Sequence, residues 1–253
     1  MIIRSYEDGA RAEACADYLI DSECASKIEK LILLPIPSTK DKQTILKTNI
    51  YINEVFDDIC DGTVVSCYGL GDDFITKAEL LGASVIDLSI DEEFLRDNAE
   101  LTALCALGIF LGTTTLSPRE ISIGIVGYGR IGKKLTDLFL YLGARVRVFT
   151  SRPGTMLDLC EYGVASSEST RSADLSGLDI LVNTAPAVIF PPENIPEGLR
   201  IMELASGDNF PGVNGVEKYP SIPARMFPRS AGKAWGRAIE RHVLRGDKRS
   251  LGS

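Results

Sequence analysis

The residues best placed to do chemistry in this 253-residue chain are glycines. Residues 127–132 read Gly127-Tyr128-Gly129-Arg130-Ile131-Gly132 and follow the apolar run Ile121–Val126 without a gap. An amphipathic stretch, Lys133–Gly143, comes next, and then a second strand-like run, Ala144–Thr150. This is a strand–loop–helix–strand order, in which each glycine has its own task. Gly127 permits a tight turn, Gly129 lets a pyrophosphate approach the backbone, and Gly132 lets helix and strand pack closely. Amides at the helix start then point at the phosphates, aided by the helix dipole. The pattern predicts dinucleotide binding; its alternative is a glycine turn with a purely structural role.

The end of the second strand selects among dinucleotides. A carboxylate there would bond both ribose hydroxyls of NAD and repel a 2′-phosphate. This chain has Thr150, Ser151 and Arg152 instead, and the nearest acid, Asp158, falls deeper in the following helix. Two hydroxyls and a planar guanidinium suit a dianionic phosphate, so the expectation is NADP(H) rather than NAD(H). Arg152 could also stack on adenine and discriminate nothing. Two further strand ends, Asn183-Thr184-Ala185-Pro186 and Ala205-Ser206, are expected to line the nicotinamide half, because ligands bind outside the carboxyl ends of parallel strands. Asn183 reads equally well as a turn residue capping its own loop.

Candidates for holding a small acidic substrate are Ser38 and Thr39 with Lys40, after the run Lys30–Ser38, and Arg229 with Ser230 before the last helix. Arg225 is a weaker candidate. Ser230 also reads as an ordinary helix N-cap. A general acid must reach the reacting oxygen and titrate near working pH. The one histidine, His242, lies among Arg241, Arg245 and Asp247 in that last helix and reads as a surface or packing residue. No catalytic residue is assigned, and no histidine-based hydroxyacid mechanism is expected.

The elements that must position these groups alternate. Residues 1–30 read as a helical lead-in, with Ala10, Ala14, Tyr18 and Leu19 on one stripe. Strands are expected at Lys30–Ser38, Thr63–Gly69 and residues 83–89, with helices at residues 53–59 and, capped by an aspartate, 72–82. Glu92–Gly112 is a long helix. After the Rossmann-type unit, strands are expected at Leu178–Pro186, Leu199–Ser206 and Ser221–Pro228, and a helix at Ser230–Leu244. In that helix Ala234, Trp235, Ala238, Ile239 and Val243 form an apolar stripe. Unbroken apolar runs between helices imply parallel sheets covered on both faces. The reading is α/β: two Rossmann-like lobes, the second a doubly wound parallel-sheet dinucleotide-binding domain. Residues 1–98, joined by helix 229–253, form the first lobe, and 99–228 the second.

A formal net charge of −8 argues against a nucleic-acid partner, which needs clustered cations. The most apolar run, Leu101–Gly112, is shorter than the roughly 20 residues a membrane span requires. The N-terminus lacks the pattern of a signal peptide. The six cysteines show no paired metal spacing, so no metal site or disulfide framework is expected. A reducing cytoplasm fits.

Several blocks together carry a resemblance: "LLPIPSTKD", "NAELTALCALGIFLGTTTLSPREISIGIVGYGRIG", "VFTSRPG", "DILVNTAP", "IMELASG" and "FPRSAGKAWGRAIERHVL". In order and spacing, from about Leu31 to Leu244, they resemble the A chain of dipicolinate synthase, a relative of the D-2-hydroxyacid dehydrogenases and of the NAD domain of S-adenosylhomocysteine hydrolase. The resemblance implies a two-domain Rossmann-like oxidoreductase of spore formers. It implies NADP, a dihydrodipicolinate-like substrate and a flavoprotein-like second subunit of the dipicolinate-synthase-B type. Pairing into a homo-oligomer through exposed apolar helices is a further implication. The chain departs from the family in three places. Its first strand and glycine turn are expected to be missing, Gly207 stands where an arginine is usual, and residues 227–232 replace a turn like "APKTAG". Two other readings therefore stand beside the enzyme: a catalytically silent cofactor-binding protein that regulates or scaffolds a partner, and a divergent hydroxyacid dehydrogenase-like enzyme.

Overall fold

The computed structural model describes residues 1–151, 159, 164, 166–168 and 173–250. The chain divides into two compact units, one of Met1–Asn98 with Pro223–Ser253 and one of Ala99–Ile222.

The first unit holds a parallel sheet of four strands in the order β1 (Ile2–Ser5), β2 (Lys30–Leu33), β3 (Thr63–Cys67) and β4 (Ser84–Asp87). Helix α1 (Ala10–Ile20) joins β1 to β2, and α2 (Asp72–Leu80) joins β3 to β4. Side chains alternate across a strand, so Leu31, Leu33, Val64 and Ile86 share one face. There they pack with Cys15 and Leu19 of α1. Ile32 and Val65 face the other way, toward Phe74 and Ala78 of α2 and toward Phe56 of the 3₁₀ helix Ile52–Asp58. Both crossovers step the same way across the sheet, yet their helices lie on opposite faces. The two connections therefore have opposite hands, and one departs from the usual right-handed rule.

The second unit contains, among the described residues, a six-stranded parallel sheet. Its strands are β5 (Ser122–Val126), β6 (Arg145–Phe149), β7 (Ser166–Glu168), β8 (Ile180–Asn183), β9 (Arg200–Glu203) and β10 (Val216–Lys218), in the order β10-β9-β8-β5-β6-β7. From β5 the chain winds outward to β6 and β7, then returns to lay β8, β9 and β10 on the other side. That reversal is the doubly wound arrangement, with its switch point between β5 and β8. Helix α3 (Glu92–Thr113) contributes Ala103, Ala106 and Phe110 to one face of the sheet, and α4 (Arg130–Tyr141) contributes Leu135 and Phe139. Phe110 and Phe139 meet edge to face, their ring centroids 5.2 Å apart.

Two helices complete the order, the short α5 (Ile222–Met226) and the long α6 (Pro228–Ser250). In the first unit α6 lays Trp235, Ala238 and Ile239 on the α1 face of the sheet. Gly232 and Gly236 make this possible. A Cβ on Gly232 would stand 2.4 Å from the Arg11 carbonyl, and one on Gly236 2.5 Å from the Tyr18 ring.

Several expectations need correction. Residues 1–20 are not wholly helical: Ile2–Ser5 is a strand, and the helix starts only at Ala10, after Gly9 at φ 126°. As an edge strand half open to solvent, β1 is too short and too exposed to show periodicity. The first strand of the fold is thus present. The buried stripe of α1 is Arg11, Ala12, Cys15 and Leu19, whereas Ala10 is exposed. Residues 222–226 form a helix, and the last strand is Val216–Lys218. Pro223 cannot donate to a sheet ladder, but it fits a helix's first turn, where its N–H is not needed. Helix α2 is capped by Gly71 at φ 86°, with no side-chain cap; Asp72 and Asp73 lie within its first turn.

Candidate functional site

The five strands β6, β5, β8, β9 and β10 end in register. Phe149 pairs with Val126, Val126 with Asn183, Asn183 with Glu203, and Glu203 with Lys218. Each is the last residue of its strand, so this row marks the carboxyl edge of the sheet. The glycine loop leaves it immediately after Val126.

Each glycine in the loop meets a different constraint. Gly127 has φ 87°, and a Cβ on it would come within 2.9 Å of the Thr184 hydroxyl. Gly132 lies against the turn, where a Cβ would stand 2.1 Å from the Gly127 carbonyl oxygen. Gly129 has an ordinary extended backbone (φ −86°, ψ −161°), and a Cβ there would meet nothing within 4 Å. Neither conformation nor packing of the protein requires glycine at 129. The open space on its Cα side is the kind of cradle a pyrophosphate needs. Gly129 is also the N-cap of α4, and no side chain caps that helix. Lys133 is the first residue whose N–H bonds back along the helix, to the Gly129 carbonyl at 2.9 Å. With no acid in the first turn, the helix start offers unscreened positive dipole to an anion. These features fit a dinucleotide.

From the β8 side, Thr184 braces the loop. Its N–H and its hydroxyl both donate to the Val126 carbonyl, at 2.9 and 2.8 Å. Asn183 is buried and committed internally: its Oδ1 accepts the Ala185 N–H at 3.1 Å, and its Nδ2 donates to the Ala185 carbonyl and to both carboxylate oxygens of Glu203, each at 3.0 Å. Of the two roles open to Asn183, the turn-capping one is what the geometry displays. Pro186 and Ser206 are exposed, and Ala185 and Ala205 half-buried. On the other side of β5, Thr150 is buried and Ser151 exposed. Arg152, on which the choice of coenzyme turns, lies outside the described residues, as does Asp158. The structure thus gathers residues 127–132, 150–151, 183–186 and 205–206 along one edge of one sheet.

Glu203 was missed by sequence reasoning. Its side chain is 2% exposed, and every hydrogen bond to it comes from a donor: the Ala205 N–H at 2.8 Å, Asn183, and Asn209 Nδ2 at 3.2 Å. Burial pushes its carboxyl above the usual range, while these donors pull it down. The loop that follows turns at Gly207, with φ 104°, and Asn209 closes it by donating to the Ser206 carbonyl at 3.1 Å. Any other residue at 207 would have to take up a strained backbone. The signal available in sequence was an acid inside an apolar run, "IMELAS".

The substrate candidates lie in the first unit. Ser38 is fully buried; its hydroxyl donates to the Pro35 carbonyl at 2.8 Å and accepts the Tyr68 N–H at 2.8 Å. Thr39 donates to Asp41 at 3.1 Å and accepts the Lys42 N–H at 3.0 Å. Asp41 also receives the N–H groups of Gln43 and Thr44, which hold its carboxyl well below the usual range. Arg229 and Ser230 are exposed in the first turn of α6, so Ser230 is not its cap. Arg229 lines a groove of about 960 Å³ beside α1 and α6, together with Lys233 and the acids Glu13, Asp17, Asp21, Glu23 and Glu240. Carboxylates outnumber cations in it. A buried guanidinium that the sequence did not reveal, Arg11, is occupied by Glu7 at 2.6 and 2.7 Å and by the Ile36 carbonyl at 3.2 Å. His242 donates to Asp91 at 2.8 Å on the surface, where Arg241 shares the same carboxylate and joins α6 to the start of α3.

No family model and no curated protein matches the sequence. Solved structures do. The A chain of dipicolinate synthase from Bacillus subtilis superposes with a TM-score of 0.74 at 16% identity, over 96% of this chain and 95% of that one. The protein has the fold of that dipicolinate synthase component. Its counterpart from Bacillus halodurans is similar too, with a TM-score of 0.69 at 19% identity over 84% of this chain and 79% of that one. A 2-hydroxyacid dehydrogenase from Lactobacillus delbrueckii ssp. bulgaricus, in its NAD-complexed form, gives 0.55 at 10% identity over 98% and 97%. The architecture these proteins share with this chain is an α/β fold with two parallel sheets. Among the described residues no helix is long and apolar enough to cross a membrane.

Proposed function

We propose that this protein is an NADP-dependent oxidoreductase of the dipicolinate synthase A type, acting on a small acidic cyclic substrate. One observation carries the reading: Gly129, a residue that neither its backbone nor its neighbours require to be glycine, fronts open space at an uncapped helix start. The Val126–Gly132 loop binds the diphosphate through backbone amides, and Thr184 braces the start of that loop through the Val126 carbonyl. The bound nicotinamide supplies the hydride chemistry. Thr150, Ser151 and Arg152 receive the 2′-phosphate, and no carboxylate stands at residues 150–151 to repel it.

Titration with NADP⁺ and NAD⁺ tests the coenzyme assignment. Arg152→Ala is expected to weaken NADP⁺ by about ten- to a hundredfold, the worth of a charged hydrogen bond, and NAD⁺ far less. Equal weakening of both would assign Arg152 to adenine stacking. The substrate assignment is tested by turnover of dihydro- and tetrahydrodipicolinate derivatives, with and without a B-type partner protein. A second reading, a coenzyme-binding component without its own turnover, is favoured by the acidic groove at Arg229 and by the engaged hydroxyls of Ser38 and Thr39. Tight coenzyme binding with no turnover under any of these conditions would select it. A cytoplasmic location accords with either reading.

A further inference from the structure

We propose that Glu203 makes the nicotinamide half of the site prefer the oxidised, positively charged coenzyme over the reduced, neutral one. The inference rests on the coenzyme reading above and adds to it the redox state that the site selects. Glu203 ends β9 in the same row as Val126 and Asn183, two strands from the glycine loop on the β8 side. In a doubly wound sheet that side takes the nicotinamide, since the pyrophosphate sits at the loop after β5 and the second mononucleotide lies over the returning strands. The carboxylate does not wander. Asn183, Asn209 and the Ala205 N–H hold it from three directions, and all three are donors, the partners an ionised carboxylate accepts. Among the described residues no cation forms an ion pair with it; Lys218, its neighbour in the row, is paired with Asp208 at 2.9 Å.

The oxidised nicotinamide ring carries one positive charge, and hydride addition removes it. A fixed negative charge nearby therefore stabilises one redox form and leaves the other nearly untouched. Strands are spaced about 4.8 Å apart, so one to two spacings separate the charge from a ring seated over β8. At an effective dielectric of about 20 to 40, such a separation changes the ratio of affinities by about four- to three-hundredfold. A residue that merely braced the β8 and β9 ends would alter both affinities together. The ratio separates the two roles.

The experiment measures equilibrium binding of NADP⁺, NADPH and 2′-phospho-ADP-ribose, which lacks the nicotinamide ring. The proteins are wild type, Glu203→Gln and Glu203→Asp. Wild type is expected to bind NADP⁺ at least as tightly as NADPH. Glu203→Gln is expected to shift the ratio toward NADPH by at least about fourfold, and Glu203→Asp to keep it within about twofold. The ring-less fragment should bind all three proteins alike. An unchanged ratio in Glu203→Gln overturns the proposal, and so does a wild type that prefers NADPH, a result that stands even if the variant fails to fold. In both cases fragment binding leaves the coenzyme reading intact. Failure of the wild type to bind any of the three ligands removes both.

Discussion

Gly129→Val and Gly132→Ala separate coenzyme binding from folding. Valine at 129 meets an allowed extended backbone and nothing within 4 Å. Losing a glycine N-cap costs some tenths of a kcal/mol, while a stiffer unfolded chain returns about 0.4–1 kcal/mol. The net change should stay within about 1 kcal/mol, or roughly 2–4 °C in Tm for a chain of this size. Binding should behave differently. If a pyrophosphate lies against this Cα, the valine occupies its place and breaks at least one charge-assisted hydrogen bond to an amide. Such a bond is worth about 1.5–3 kcal/mol, a loss of roughly ten- to a hundredfold or more in affinity. Gly132→Ala reverses the pattern. Its Cβ would stand 2.1 Å from the Gly127 carbonyl, a backbone atom that cannot swing aside. Overpacking of that kind typically costs about 1–3 kcal/mol, so Tm falls and the loop is displaced with it. Calorimetric titration with NADP⁺ alongside thermal melts reads both quantities. A folded Gly129→Val protein that binds NADP⁺ as tightly as wild type would refute the assignment of the loop to phosphates.

Trp235→Ala should destabilise the protein by about 3–5 kcal/mol in urea unfolding. It empties the centre of the α6 contact and leaves Ser66, which receives the indole N–H at 2.8 Å, without its donor. Glu217 gives a pH signature. The hydrogen bonds from Arg200 hold its carboxyl below the usual range. A depressed folded pKa contributes stability that is present above the unfolded value and is lost as pH falls through the folded one. Wild type should therefore exceed Glu217→Gln by about 0.5–1 kcal/mol near neutrality, with the margin closing below about pH 4. A margin that widens on acidification would mean that Arg200 does not set this group.

Much of the second unit can be read directly from its residues. Strands β5, β8 and β9 lie in a sheet covered on both faces, so their apolar runs are nearly unbroken and stand out against polar helices. The glycine loop is legible because all its signals are local. Glu203, Asn183 and Asn209 are not, since the contacts that unite them join residues 6 and 20 positions apart across two strand ends. Thr184 braces a turn 58 residues earlier, a link that no periodicity reveals. At the N-terminus, β1 has too few buried positions to alternate visibly. The helix at 222–226 is hidden because "SIPARMFP" is apolar enough for a strand, and the proline's meaning depends on which hydrogen bonds are missing nearby.

Because α6 covers a sheet built from the first 98 residues, the unit they form is discontinuous in sequence. On the ribosome, Leu31, Leu33 and Val64 emerge long before Trp235, Ala238 and Ile239 exist to shield them. The other unit, contiguous from Ala99 to Ile222, has its described strands available while its companion still waits with a greasy surface in the open. Nascent chains stalled near residue 225 should therefore be the aggregation-prone intermediates of biosynthesis and the ones on which chaperones act.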